Sequence, residues 1–82
     1  MSLDGRLQAF LAEVVRRLVD SPEESSVDVV DGQRSTCFRI GVPAEERGQV
    51  IGRAGATIKS LRNLISLSAK KHRRRFDVEI VD

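Results

Sequence analysis

The chain has 82 residues, 40% of them hydrophobic, a single cysteine and a net charge of +2. One core of this size buries only about 60–65% of the unfolded surface, so a single domain over residues 1–82 is expected. Cys37 alone excludes an internal disulfide and a Cys/His metal cluster, and no apolar run approaches the roughly 20 residues of a membrane span.

The N-terminal "MSLDGRLQAF" has no basic segment followed by a continuous apolar run, and a soluble, cytoplasmic chain with no membrane partner is expected. The small net charge conceals a strong segregation. Residues 1–46 carry a net −4, residues 47–76 carry nine basic groups and no acid, and residues 77–82 carry three acids. A solvated helical face accounts for many charge runs. An acid-free run of this length with apolar periodicity inside it favours a face for polyanions.

Leu3, Leu7, Phe10, Leu11, Val14, Val15 and Leu18 recur at three- and four-residue spacing, which predicts an amphipathic helix over about 2–19. Ser21-Pro22 stops it, because proline cannot continue the backbone ladder. Val27 and Val29 alternate with polar residues, as do Thr36, Phe38, Ile40 and Val42, so Asp31-Gly32 is read as the turn of a β-hairpin, one that tolerates positive φ. Pro43 ends the second strand and opens a short helix with Glu45 and Glu46 in its first turn, where carboxylates suit the helix dipole. A longer helix is expected from Gly55 to about His72, burying Ile58, Leu61, Leu64, Ile65, Ser68 and Ala69. Phe76, Val78 and Ile80 form a last strand. The fold class is therefore α+β, in the order helix, strand, strand, helix, helix, strand.

Between the two later helices stands "VIGRAGATI", Val50 to Ile58. One reading is punctuation: Gly52 closes the first helix in a left-handed conformation and Gly55 opens the second. The other is a phosphate site. Backbone N–H groups at a helix N-terminus attract anions, two positions without side chains allow close approach, and Arg53 adds charge.

These residues resemble the KH signature Ile-Gly-x-x-Gly-x-x-Ile, here Ile51, Gly52, Arg53, Ala54, Gly55, Ala56, Thr57 and Ile58. The element order is similar to the type II arrangement, with three helices packed on one face of a three-stranded sheet. Essentially the whole chain resembles the KhpA family of small bacterial single-KH-domain proteins. The resemblance implies single-stranded RNA held by its backbone at residues 52–55 with low sequence specificity, in a groove between the helix pair and a sheet edge. Ile51 and Ile58 would shape that groove, and Lys59 and Arg62 would add electrostatic attraction. Also implied are an RNA-chaperone role, self-association or pairing with a second KH protein of the KhpB (Jag) type, and a part in cell elongation and division. Many such loops carry a basic residue at either or both middle positions; here the second is Ala54, so only Arg53 supplies charge. Gly52→Asp combined with Gly55→Asp is expected to abolish RNA binding with the fold intact.

Other residues narrow the choice. "KKHRRR", Lys70 to Arg75, is either a nucleic-acid contact or the solvated end of a helix, about a helix length from the loop. Phe10, Phe38 and Phe76 are all expected in the core, so no aromatic platform for stacking bases is available. Cys37 falls on the opposite strand face, partly exposed. No dinucleotide or P-loop spacing exists and the acids form no catalytic pair, so neither an enzyme nor a cofactor is expected. A protein interaction module that dimerises through the helix-turn-helix face remains the rival, since Ile51, Ile58 and Leu61 suit either use. DNA reading is disfavoured, because Gly55, Ala56 and Ile58 cannot read base edges.

Overall fold

A computed structural model describes residues 2–81. Helix α1 (Leu3–Leu18) is capped by Ser2, whose hydroxyl accepts from the Gly5 N–H at 3.0 Å, and it buries Leu11 and Val15. Ser2 satisfies one of the four N–H groups that every helix start leaves without an internal partner. After a 3₁₀ turn at Pro22–Glu24 come strands β1 (Ser26–Asp31) and β2 (Thr36–Gly41), paired antiparallel with Val29 opposite Phe38. A 3₁₀ turn at Ala44–Glu46 leads into helix α2 (Arg47–Ile51), and helix α3 (Ala56–Lys71) follows. Strand β3 (Phe76–Val81) lies parallel to β2, with Phe38 opposite Val78. A parallel neighbour needs a crossover, and α2 and α3 supply it.

The sheet order is β1-β2-β3. Its inner face presents Val27, Phe38, Ile40 and Val78, all buried, while Asp28, Val30, Arg39, Asp77 and Glu79 on the other face are exposed. Period-two alternation thus places the three helices on one side. Leu11, Val15, Val50, Ile58, Leu61 and Ile65 complete the core from the helices. Burial of each such side chain stabilises the fold by about 1.5–3 kcal/mol.

Both edge strands are partly covered by helix side chains. Gln8 Nε2 donates to the Val27 carbonyl at 2.6 Å, and Arg62 Nε donates to the Val78 carbonyl at 3.1 Å. Occupied carbonyls make an edge a poorer template for a foreign strand.

Several expectations need correction. Phe10 is 42% exposed, so only Phe38 of the three phenylalanines is fully buried and Phe76 is half-buried. Leu64 is 50% exposed and Ser68 only half-buried, because the buried stripe of α3 is the narrower one through Ile58, Leu61, Ile65 and Ala69. Gly32 does not use a positive φ. The hairpin closes instead through the four residues 32–35, with Gly32 N–H donating to the Ser35 carbonyl at 2.8 Å, and a loop of that length needs no mirror-image turn. Glu46, at the start of the second helix as expected, is buried and accepts from the Ser21 N–H at 2.8 Å. It ties the α1–β1 connection to the start of α2.

Candidate nucleic-acid interface

The turn from α2 to α3 has three positive φ angles in four residues: Gly52 (79°), Ala54 (54°) and Gly55 (75°). Gly52 has ψ 172°, so it closes α2 in a conformation almost confined to glycine rather than in the left-handed helical one expected for it. Ala54 and Gly55 are left-handed. An L-residue pays about 1–2 kcal/mol to sit there, and Ala54 does so without a side chain that could hydrogen-bond locally. Backbone bonds brace the turn: Gly52 N–H to the Gly48 carbonyl at 2.9 Å, Gly55 N–H to the Gly52 carbonyl at 3.1 Å, and Ala56 N–H to the Arg53 carbonyl.

The two glycines differ in what surrounds them. A Cβ on Gly52 would collide with Thr57 Oγ1 and come within 2.7 Å of Thr57 Cβ and 2.9 Å of Thr57 N. A Cβ on Gly55 would meet nothing within 4 Å. Gly52→Asp is therefore a packing mutation, and the expectation of an intact fold for the double aspartate variant does not survive. Gly55 is bare toward open space.

Helix α3 starts without a side-chain cap and without an acid in its first turn. Beyond Ala56, whose N–H bonds to the Arg53 carbonyl, its first N–H groups keep their partial positive charge. Arg53 and Ala54 are exposed beside them, and Ile51 is 38% exposed. Ile58 is buried in the core, so it anchors α3 rather than lining a surface. Lys59 is exposed one turn into α3. Arg62 is exposed but holds the β3 edge through its bond to Val78.

Beside that bond a groove of about 800 Å³ follows the β3 edge. Arg62, Asn63 and Ser66 form one wall, Phe76 and Val78 another, and Arg39 lies across it. Asn63 and Ser66 were missed by sequence reasoning, although both fall within one helical turn of Arg62. Arg39 comes from β2 and pairs with Glu79 at 3.0 Å, and no local pattern announces that placement. Gln49, just ahead of the loop, is tied to the end of α1. Its amide donates to Asp20 Oδ2 at 3.0 Å and accepts from the Asp20 N–H at 3.2 Å.

Cys37 lines the same groove, half-buried. Burial pushes its thiol up from 9.0, Glu79 and Asp77 add to this, and Arg39 opposes it. A raised thiol pKa means less thiolate in the folded chain than in the unfolded one at pH 8. Alkylation by iodoacetamide at that pH, followed by mass spectrometry, should be slower in buffer than in urea. A faster folded-state reaction would contradict the environment described for it.

Among the described residues no three His, Cys, Asp or Glu side chains are grouped to hold a metal ion, and no helix is long and apolar enough to cross a membrane.

Comparison with known proteins gives a consistent result. A family model described as KhpA/KhpB, KH domain, matches residues 8–80. The chain is 33% identical over 76 residues to the RNA-binding protein KhpA of Chlamydia pneumoniae, covering 93% of this chain and 97% of that one. It is 35% identical over 75 residues to the protein of the same name in Clostridium acetobutylicum, covering 92% and 100%. The namesake of Treponema pallidum is also 35% identical over 75 residues, covering 92% and 94%.

Proposed function

The chain belongs to the KhpA/KhpB KH-domain family, and on that premise we propose that it binds single-stranded RNA by gripping the sugar-phosphate backbone at Gly52, Arg53, Ala54 and Gly55. The observation that carries this reading is the uncapped, acid-free start of α3, directly behind a turn with an exposed arginine and an open Gly55. Phosphate contacts of this kind position a strand without reading its sequence, so low specificity follows. The relatives' shared designation as RNA-binding supports the same ligand. Bases leaving the turn would meet Ile51 and then the groove beside Arg62, with Lys59 adding charge at its entrance.

The same reading makes the protein a single-domain RNA chaperone of the cytoplasm, acting in cell elongation and division with a partner. A second KH chain, either another copy or a KhpB-type protein, is the partner proposed. Leu64 and Leu67, 50% and 64% exposed on α3, support a protein-facing surface there. Pairing two weak RNA sites would raise affinity without any new contact to RNA.

The test is Arg53→Glu combined with Ala54→Asp. Aspartate is among the residues that tolerate the left-handed conformation found at Ala54, so the melting temperature should hold. Fluorescence anisotropy with an unstructured RNA at low salt should show affinity down by about 100-fold, since two acids replace the turn's only cation. Wild-type affinity in the folded variant would remove the turn from the mechanism.

A further inference from the structure

The basic run Lys70 to Arg75 does not behave as one unit in the fold. Arg74 turns inward. Its Nη2 donates to Asp4 Oδ2 and to Thr36 Oγ1, each at 3.1 Å, and its guanidinium lies 5.0 Å from the centre of the Phe76 ring. Arg73 and Arg75, together with Arg34 from the hairpin loop, line a depression at the end of the sheet where β1 turns into β2 and α3 hands over to β3, and the paired Arg74 borders it as well. Arg34, Arg73 and Arg75 are exposed, and among the described residues none of the three is paired with an acid. Arg34 lies far ahead of this run and sits in the chain's acidic half, so the sequence offers no hint that it joins them.

Among the described residues, Asp4 and Asp31 lie against this run, and the Asp31 carboxylate stays charged, so the arginines outnumber it rather than neutralise it. Asp4 is held by Arg74, and Asp31, which also lines the depression, accepts from the Thr36 hydroxyl at 3.1 Å. Lys70 and Lys71 in the last turn of α3 add further exposed positive charge nearby. The depression is mostly polar and open, which suits a hydrated anionic chain better than an apolar peptide.

We propose that Arg34, Arg73 and Arg75 form a second backbone-binding site for the same RNA strand, engaged only when the RNA is long enough to reach it from the Gly52–Gly55 turn. This rests on the RNA reading of that turn. The 16 residues of α3 separate the two sites by about 24 Å. A strand whose first four nucleotides fill the turn must continue past them to meet the arginines. The groove beside Arg62 reaches to Phe76 and so leads toward that end.

The experiment compares four- and sixteen-nucleotide unstructured RNAs over a salt series, using the wild type, Arg53→Glu with Ala54→Asp, and a triple variant. The triple variant is Arg34→Gln, Arg73→Asn and Arg75→Gln, with asparagine chosen because Arg73 has a φ of 54°. The wild type should bind the sixteen-mer with a steeper salt dependence than the four-mer. In the triple variant the slope for the sixteen-mer should fall by about 2, three contacts at roughly 0.7 each, and four-mer binding should not change. Lysine at all three positions should restore the slope, because charge rather than shape is used. Equal losses for both lengths, or none, overturn this proposal while leaving the turn's role intact. If the wild type binds neither RNA, both fall. Binding of polyglutamate as tight as that of the sixteen-mer at equal ionic strength, lost in the triple variant, would assign the arginines to acidic proteins and overturn the RNA extension.

Discussion

Gly52→Ala lowers the melting temperature by roughly 12–24 °C in the outcome expected here, whereas Gly55→Ala lowers it by about 4–8 °C. Both positions have positive φ, so a naive reading would treat them alike. They differ in space. At Gly52 a methyl group runs into Thr57, whose backbone N is 2.9 Å away and cannot rotate aside. The strain of a glycine-only conformation, about 1–3 kcal/mol, then adds to the overlap, for a total of about 3 kcal/mol. At Gly55 only the left-handed conformation is disfavoured, partly offset by a less flexible unfolded chain, for a net loss of about 1 kcal/mol. A domain of this size loses about 4–8 °C per kcal/mol. Thermal unfolding followed by circular dichroism decides the matter, and equal losses at the two sites would refute the packing described around Thr57. The division of labour is then clear: Gly52 builds the turn, and Gly55 keeps it open toward solvent.

That division marks the limit of what a linear pattern conveys. The spacing of Val27, Val29, Phe38, Ile40, Val78 and Ile80 located the strands, because alternation with period two has one physical cause, a sheet buried on one face. The stripe through Leu11, Val15, Ile58, Leu61 and Ile65 located the helices for the same kind of reason. Leu64 and Phe10 misled, since helical spacing says which residues share a flank but not how far the neighbouring element reaches over it. Glu46 gave no sign of its burial. Its burial depends on Ser21, twenty-five residues earlier, and no window of local sequence contains both. The turn at 52–55 was legible as a motif, whereas the unequal crowding of its glycines depends on Thr57's side-chain position. The grouping of Arg34 with Arg73 and Arg75 was invisible because it needs the hairpin and the α3–β3 connection brought to the same end of the sheet.

Phe38→Ala should cost about 3–5 kcal/mol, the largest loss expected from any single core substitution in this chain. Phe38 is fully buried at the centre of β2, paired on one side with Val29 and on the other with Val78. Its ring meets Phe76 edge to face, with centroids 5.5 Å apart and an interplanar angle of 61°. At about 4–8 °C per kcal/mol for a domain of this size, the alanine variant should melt roughly 12–40 °C below the wild type by circular dichroism. Phe38→Leu is the informative companion. It keeps most of the volume and loses the aromatic contact, worth about 0.5–1.5 kcal/mol, so it should fold. Phe76 in turn lies beneath Arg74, and Arg74 is bonded to Asp4 and Thr36. The core aromatic pair therefore props the connection that carries Arg73 and Arg75, while the turn at 52–55 is braced separately through Gly48 and Thr57. Phe38→Leu should accordingly weaken binding of the sixteen-nucleotide RNA more than that of the four-nucleotide RNA. An equal effect on both lengths would mean that the two ends of α3 are mechanically coupled through the core, and the separate bracing inferred from these contacts would be wrong.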